Sequence, residues 1–507
     1  MVLKDKMKKI RAGLNTFIGK THIPVWLAIL LAAVIVLRIP SFFEPFSYGD
    51  EMIYLTLGEG VRQGMTLYKD IHDNKPPLLY LAAAVAGNVF WFKAILAFWN
   101  IITIVLFWHL AKALFPTRDK LQKLATAIFA ILTTIPLLEG NIANAEMFMV
   151  GPTIAAFLVL LTRKLNFRSL FGAGVLFSIA TLFKVPAVFD IPAIIAFWLI
   201  SSALNKSSLK EIAKNSLFLG LGWATPIALS FVWYYLAGAF KEYFVAAFLQ
   251  NVGYLSSWRA GAIAKPFLLR NLPLLVRGAV VLATAVILYL KKKKLSKQFV
   301  FLTLWLMLAL FAATLSERPY PHYLLQAVAP ISLLLGVLFA EKTIEQSLVI
   351  IPLAIAFFVP VYYKFWYYPT TPYYVKFVKF AIGKIDKNQY FDSFGTQVTR
   401  NYQIADFLVK SSTPKDRVFV WGPDGSTIYA LSRRLPPGKY VIDYHINDFS
   451  SRKDEAAVLE KNKPKFIVLL PDAGPFPEIV PLLRSSYISV LTLDGAEIWS
   501  LRQKPAR

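Results

Sequence analysis

A series of long apolar runs limits what this chain can fold into more than any other feature of the sequence. Of its 507 residues, 56% are hydrophobic and only 17% are charged. An apolar run of about 20 residues can cross a bilayer as a helix, in which every backbone polar group is hydrogen-bonded. The sequence therefore predicts a multi-span α-helical membrane protein. About eleven runs meet this criterion, and they cover residues 24–43, 94–115, 121–138, 145–162, 169–185, 186–204, 215–237, 273–290, 299–316, 324–340 and 347–365.

Basic residues between the runs predict the orientation of the chain. The run Leu78–Phe92 is only about 15 residues long and follows two prolines, so we expect an interfacial or re-entrant helix there. We take that run as not spanning, the basic N-terminus as inside and the first run as a retained span. Four of the five cytoplasmic loops are then basic, as the positive-inside rule requires, and the fifth, which is nearly neutral, does not fit. If Leu78–Phe92 spanned, the four-lysine loop would lie outside. The predicted inside loops are Lys112–Lys123, Arg163–Arg168, Lys206–Lys214 and Lys291–Lys297, together with the nearly neutral Glu341–Gln346.

The net charge indicates which partners the basic residues bind, and the lack of cysteine excludes some kinds of site. The formal net charge is +25, which in a membrane protein reflects basic cytoplasmic loops facing anionic lipid. We therefore expect membrane lipids, and not nucleic acid, as partners of the basic residues. The chain contains no cysteine, which excludes disulfides and thiolate metal sites.

After the last apolar run and an aromatic girdle, the long apolar runs end and the sequence has the pattern of a soluble domain. We predict a transmembrane domain over residues 1–372 and a small soluble α/β domain over residues 373–507, outside the cytoplasm. Alternating strands and helices predict a small mixed or parallel sheet. No G-x-G-x-x-G, P-loop or H-E-x-x-H motif gives this domain an active site. The predicted strands are Arg417–Gly422, Phe466–Leu470 and two within Tyr487–Leu501 joined at Asp494–Gly495, and the helices centre on Tyr402–Val409, Thr427–Arg433 and Glu455–Asn462.

The polar segment Ser47–Tyr80 is the first candidate for chemistry. A connection of about 30 residues is more often functional than mere linkage. Asp50 could act as a general base, with Glu51 raising its proton affinity or holding a ligand, but both residues also suit an ordinary helix N-terminus. Lys75, which precedes two prolines, could bind a phosphate or simply extend toward the lipid headgroups.

Three further segments fall on the same predicted outer face. Asn144 and Glu146 begin a span, where Glu146 is either a second acidic group of the site or an ordinary helix-start carboxylate. Lys184 could pair with Asp190 or with a lipid phosphate. The segment ERPYPHY suits either phosphate binding and proton transfer or a solvated turn. Its candidate residues are Arg318, His322 and Tyr323.

These segments resemble one known family. An acidic pair after the first span, followed by GMTLYKDIHDNKPPL at residues 64–78, is similar to membrane glycosyltransferases of the C-type (GT-C) fold. The closest group is related to protein O-mannosyltransferases and to the lipid A aminoarabinose transferase. The NAE at Asn144–Glu146 and RPYPHYLLQAVAP at Arg318–Pro330 also resemble that group, and the resemblance covers roughly residues 24–340.

The resemblance implies a polyprenyl-phosphate sugar donor and an acceptor hydroxyl, on a protein, lipid or glycan, at the outer membrane face. It implies a one-step displacement that inverts the anomeric centre, in a multi-pass protein of the cell membrane. Asp50 matches the family's catalytic acid/base position, and Lys75 matches the lysine near the donor phosphate. Arg318 and His322 fall in a loop expected near that phosphate, and we add Tyr323 to this group.

A second class of function fits the same spans. A transporter or flippase for a lipid-linked sugar would carry charged or Gly- or Pro-broken segments in paired positions at mid-membrane. Here the polar groups lie mostly at outer helix ends, which favours surface chemistry. A non-catalytic scaffold would leave the charged first loop unexplained. No residue cluster demands a metal or another cofactor, and the sequence leaves open a divalent ion, the sugar, the acceptor and the oligomeric state.

Overall fold

The computed structural model describes residues 23–253, 266–340 and 342–502. The predicted basic N-terminus, residues 254–265 between the predicted spans 215–237 and 273–290, and Glu341 lie outside these ranges. The described residues between 23 and 362 are mainly helical. Its helices are α1 Val25–Arg38, α2 Gly49–Arg62, α3 Leu78–Ala86, α4 Val89–Leu114, α5 Asp119–Leu132, α6 Ala145–Thr162, α7 Phe167–Phe183, α8 Ile191–Ser201, α9 Lys206–Leu236, α10 Phe240–Phe244, α11 Gln250–Gly253, α12 Phe267–Lys291, α13 Lys297–Ala313, α14 Leu325–Ala340, α15 Ile344–Leu348 and α16 Ile350–Tyr362.

The predicted multi-span helical fold is confirmed, and each of the eleven predicted runs contains a helix. Seven helical stretches in the described residues are long and apolar enough to cross a membrane. Three more apolar helices are shorter, so the count of eleven spans stays a prediction. The seven are Val25–Phe43, Val89–Leu114, Ala145–Thr162, Lys206–Leu236, Phe267–Lys294, Pro321–Ala340 and Ile344–Tyr362, and the three are Phe167–Phe183, Val185–Ser201 and Lys297–Ala313.

The short run after the two prolines forms a helix that is too short to span. At 1.5 Å per residue the nine residues of α3 extend about 14 Å, roughly half of the ~30 Å hydrocarbon core. Gly87, with φ 68°, ends α3 in the left-handed conformation that favours glycine. Asn88 then caps α4 by accepting a hydrogen bond from the Trp91 amide at 3.0 Å. The span α4 therefore begins at Val89, earlier than the predicted residue 94.

Contacts between loops show which helix ends lie together. Lys292 Nζ donates to the Ser202 carbonyl at 2.9 Å, and Gln298 Nε2 donates to the Leu114 carbonyl at 3.1 Å. The chain segments that follow α4, α8 and α12 therefore lie at one end of the bundle, close in sequence to Arg118, Lys206 and Lys291–Lys294, and this end is here called the basic end. The segments that carry the candidate site residues meet at the opposite end, here called the site end. Which side of the membrane each end faces stays a prediction.

The C-terminal part of the chain forms a small α/β unit with a mixed sheet. The strands β1 Val418–Trp421, β2 Phe466–Leu469, β3 Tyr487–Leu493 and β4 Ala496–Leu501 lie in the order β1-β2-β4-β3, with β1 and β2 parallel and the other pairs antiparallel. Asp494 and Gly495, both with positive φ, form the predicted turn between β3 and β4. The elements are α17 Thr370–Ala381, α18 Lys387–Asp392, α19 Gln397–Ser411, β1 Val418–Trp421, α20 Gly425–Ser432, α21 Asp443–Phe449, α22 Arg452–Asn462, β2 Phe466–Leu469, α23 Val480–Ser486, β3 Tyr487–Leu493 and β4 Ala496–Leu501.

This C-terminal unit packs on the site end of the helical bundle. Helix α20 lies against α2, where Thr56 Oγ1 donates to the Ser426 carbonyl at 3.0 Å. The Phe46 amide donates to the Tyr402 hydroxyl at 3.1 Å. The unit thus covers the segment that contains Asp50 and Lys75. The domain boundary at residues 372 and 373 falls inside α17 and stays a prediction.

Candidate active site

Asp50 lies in the first turn of α2 but does not cap it. The N-cap residue is Tyr48, and no side chain caps this helix. Instead, Asp50 Oδ2 accepts a hydrogen bond from the Tyr54 hydroxyl, one turn later, at 2.8 Å. The same oxygen lies 3.7 Å from Lys75 Nζ, and the two side chains are 31% and 24% exposed, respectively. The arrangement leaves a carboxylate and an ammonium group side by side and accessible from solution.

The loop that carries Lys75 is held on both sides of that residue. Its backbone N–H donates to the Tyr80 hydroxyl at 3.0 Å, and its carbonyl accepts from the Tyr68 hydroxyl at 2.9 Å. Lys75 Nζ also lies 4.9 Å from the centre of the Tyr54 ring, within the range of a cation–π contact. Proline at positions 76 and 77 restricts the backbone that follows. The position of the ammonium group is thus set by the local fold.

Electrostatics keep Asp50 ionised. Burial raises the pKa of Asp50, but the positive charge of Lys75 opposes this, followed by His322 and the hydrogen bond from Tyr54. These contacts together hold the pKa of Asp50 below its usual value. The carboxylate is therefore deprotonated near neutral pH and able to accept a proton.

A second set of ionisable side chains lies beneath this pair. Glu139 is buried and accepts hydrogen bonds from Tyr48 at 2.8 Å, from Asn144 at 2.9 Å and from His322 Nδ1. The other ring nitrogen of His322, Nε2, lies 3.7 Å from Glu146 Oε1. Three segments that are distant in the sequence thus meet in one network.

Lys184 extends the network from the end of α7. Its ammonium group donates to Glu146 and lies 3.9 Å from the centre of the Tyr323 ring. The suggested pairing of Lys184 with Asp190 is wrong, because Asp190 is buried elsewhere. It accepts hydrogen bonds from Trp305 Nε1 and Gln326 Nε2, each at 3.0 Å.

Glu51, although adjacent to Asp50, points to the other side of α2. Its carboxylate is 2% exposed, lies 2.9 Å from Lys93 Nζ and accepts from the Ala143 amide at 2.6 Å. Lys93 also pairs with Glu44 at 2.8 Å. The structure therefore makes Glu51 part of a buried ion cluster and does not bring it to the partly exposed Asp50–Lys75 pair.

The remaining predicted residue, Arg318, lies half-buried in the loop before His322, and its backbone N–H donates to the Ser316 hydroxyl at 3.3 Å.

Sequence reasoning did not single out Glu139, which joins Tyr48, Asn144 and His322. Its carboxylate, in a loop between spans, is indistinguishable in the sequence from a solvated one. Tyr54 had a usable signal, because it follows Asp50 by four residues on one helix face.

No grouping of three or more His, Cys, Asp or Glu side chains within 23–253, 266–340 and 342–502 could hold a metal ion.

Comparison with known proteins identifies the architecture. No protein-family model and no curated protein matches the sequence. A crystal structure of ArnT, a lipid A aminoarabinose transferase, from Cupriavidus metallidurans bound to undecaprenyl phosphate matches with a TM-score of 0.58 at 14% identity, covering 94% of this chain and 98% of that chain. The apo structure of the same protein gives 0.54 at 13% identity, covering 94% and 97%. The chain therefore has the GT-C fold of these membrane proteins.

Proposed function

We propose that this protein is a glycosyltransferase that moves a sugar from a polyprenyl-phosphate donor to an acceptor hydroxyl at the extracytoplasmic membrane surface. The observation that carries this proposal is the partly exposed Asp50–Lys75 pair, with 3.7 Å between carboxylate oxygen and ammonium nitrogen. One group can accept a proton and the other can bind a phosphate. Both lie at the site end of apolar helices, where the headgroup of a membrane lipid would be.

The proposed reaction is a single displacement. The acceptor oxygen attacks the anomeric carbon and forms the new glycosidic bond, while the bond from that carbon to the phosphate oxygen breaks. The acceptor proton passes to Asp50, and the electron pair leaves with the polyprenyl phosphate. Attack from the side opposite the leaving group inverts the anomeric centre. Because the phosphate is a good leaving group, the protein has to align the reactants, stabilise the charge that develops on the phosphate and remove one proton.

We assign the phosphate primarily to Lys75. Arg318 is the second proposed contact, because a guanidinium fork suits a phosphate and its loop leads directly into His322. His322 and Tyr323 contribute through the network described above, since His322 contacts Glu139 and Tyr323 contacts Lys184. Glu51 then acts by fixing α2 through Lys93, and not by touching the substrate.

The other predicted substrate-binding residues, Asn144, Glu146 and Lys184, line the buried side of the pair. Asn144 orients Glu139, and Glu146 pairs with Lys184. We propose that they shape the sugar pocket, because amide, carboxylate and ammonium groups are suitable partners for sugar hydroxyls.

Two further observations support a lipid-linked donor. The matched ArnT crystal structure is a complex with undecaprenyl phosphate, and it shares its fold with this chain. The long helices α9 and α12 expose apolar side chains, among them Leu229, Trp233, Leu282 and Leu290, as expected of a surface that faces lipid tails. A donor with a polyprenyl tail would reach the site from within the bilayer.

A donor panel tests the proposal directly. Purified protein in nanodiscs is given polyprenyl phosphates that carry different hexoses and pentoses, together with mixed envelope lipids, glycans and peptides as acceptors. We expect one donor to be consumed with release of polyprenyl phosphate, and Asp50→Asn to abolish that release. If no donor is consumed but an intact lipid-linked sugar crosses the bilayer of liposomes that contain the protein, the protein is a flippase and the proposal is wrong.

A further inference from the structure

The C-terminal unit reaches into the loop that carries Lys75. His445, in α21, lies with Nε2 3.6 Å from Oδ1 of Asp73, and both side chains are buried. Asp73 precedes Lys75 by two residues. At 3.6 Å the contact is electrostatic and longer than a hydrogen bond. It places a side chain of the C-terminal unit next to the segment that we assign to the donor phosphate.

From Asp73 the contact continues to the backbone of Lys75. Asp73 Oδ2 accepts a hydrogen bond from the Tyr80 hydroxyl at 2.8 Å, and the same hydroxyl accepts the Lys75 N–H at 3.0 Å. Tyr80 is fully buried, so its hydroxyl has little freedom to move. The three groups form a continuous polar chain from the Asp73 carboxylate to Lys75.

A second attachment lies beside the first. The backbone N–H of His72 donates to the Lys439 carbonyl at 2.8 Å. The His72 ring packs edge-on against Tyr440 and Phe449, with ring centres 5.4 and 5.1 Å apart. These partners of His72 all belong to the C-terminal unit: Lys439 and Tyr440 lie in the segment that leads into α21, and Phe449 lies in α21 itself. The C-terminal unit therefore holds both residues 72 and 73 of the loop.

The electrostatics of Asp73 and His445 are consistent with a direct contact between the carboxylate and the imidazole ring. Burial raises the pKa of Asp73, but Lys75 and then His445 oppose this, and the pKa stays below its usual value. Burial lowers the pKa of His445, with Asp73 opposing that effect. Among the described residues, Nδ1 of His445 has no hydrogen-bond partner. Nε2 is the ring nitrogen that faces Asp73, so an N–H on that nitrogen lies toward the carboxylate.

We propose that His445 is a positioning residue for Lys75: by holding Asp73 it fixes, through the Tyr80 hydroxyl, the backbone that presents the ammonium group to Asp50. The inference rests on the proposed function only for the role given to Lys75. It gives the C-terminal unit a part in donor binding, because the contacts that hold residues 72 and 73 are made by that unit when it is docked on the bundle.

Two replacements of His445 separate positioning from packing. His445→Phe keeps a ring of similar shape beside Phe449 but removes the N–H, whereas His445→Gln keeps an N–H donor near the position of Nε2 but removes the ring. In the full-length protein we expect His445→Phe to raise the donor KM roughly tenfold, a change of about 1.4 kcal/mol in donor binding, with the acceptor KM unchanged. His445→Gln should restore most of the loss. Near-normal donor KM in His445→Phe with a defect in His445→Gln would show that the ring matters only for packing, and would overturn the proposal.

Amide hydrogen exchange provides a readout that does not depend on activity. In His445→Phe, the amides of residues 72–75 should exchange faster than in the wild type, while those of strands β1 and β2 should not change. Tyr80→Phe should produce the same change, and combining both substitutions should add little, because they break the same chain of contacts. Asp416→Asn is the matched control, since Asp416 pairs with Lys465 at 3.0 Å on the surface of the same unit.

The two proposals can fail separately. Faster exchange at residues 72–75 in a protein that consumes no donor would leave the positioning chain intact and refute the proposed function. Sugar transfer by a His445→Phe protein with unchanged exchange and unchanged donor KM would refute the positioning role alone.

Discussion

Lys75 Nζ lies 3.7 Å from Asp50 Oδ2, although Asp50 belongs to the first turn of α2 and Lys75 to the loop that follows the helix. Tyr54, on the same face of α2, contacts both residues. One helix and its following loop thus supply the proposed proton acceptor and the proposed phosphate ligand. The rest of the bundle and the C-terminal unit hold this segment in place.

Replacing Asp50 with Asn should abolish sugar transfer without unfolding the protein. The amide oxygen can still accept the hydrogen bond from Tyr54, but an amide cannot take up the acceptor proton. Loss of a general base lowers rates by about 10²–10⁴-fold, so kcat measured by release of polyprenyl phosphate should fall by at least that range. Asp70→Asn in the same segment is the control, because Asp70 is exposed and its carboxylate accepts from the Thr66 amide. Equal kcat values for Asp50→Asn and the wild type would exclude Asp50 as the base.

The pH dependence of transfer should respond to Lys75. A base works only when deprotonated, so activity is lost as the pH falls through the pKa of Asp50. Burial raises that pKa, and Lys75 is the largest of the contacts that lower it. Lys75→Gln should therefore raise the pKa of Asp50 and move the acidic limb of kcat/KM to higher pH, whereas Lys75→Arg, which keeps the charge, should move it little. An acidic limb that stays in place or moves to lower pH in Lys75→Gln would contradict this coupling.

Local patterns in the sequence were sufficient to predict most of the architecture. Hydrophobic run length located a helix in every predicted span, because a membrane helix has to satisfy its own backbone. The β3–β4 hairpin could also be predicted from the sequence, since Asp494–Gly495 is a strong turn signal between two strand patterns. The boundary of α4 was misplaced because the capping residue, Asn88, was assigned to the preceding helix.

The partners of individual charges could not be predicted in the same way. The sequence indicated that polar segments collect at one face, but not which cation meets which carboxylate. Glu139 and His322 are 183 residues apart, and the packing of the turn Pro136–Leu138 against the turn Pro321–Leu324 brings them together. The Asp73–His445 contact depends on how the C-terminal unit docks, which no local pattern encodes.

The buried ion cluster around Lys93 should be important for stability. Lys93 Nζ is 2.8 Å from Glu44 and 2.9 Å from Glu51, and all three side chains are nearly inaccessible. Lys93→Met keeps the length of the side chain but leaves two buried carboxylates without their cation, which should cost about 3–5 kcal/mol in the free energy of unfolding. Thermal unfolding in detergent measures this. The matched control is Lys123→Met, which breaks the exposed pair of Lys123 with Asp119, worth about 0–1 kcal/mol. Equal losses from both variants would contradict a role for burial.

The orientation of the chain can be tested by cysteine labelling, because the sequence contains no cysteine. Lys461 in α22 and Lys293 at the basic end are both exposed lysines. If basic loops face the cytoplasm, a membrane-impermeant maleimide should label Lys461→Cys in intact cells and label Lys293→Cys only after the membrane is opened. A reporter fused after Tyr374 should agree by being active outside the cytoplasm. Labelling of Lys293→Cys in intact cells, with Lys461→Cys protected, would invert the topology and place Asp50 and Lys75 on the cytoplasmic side.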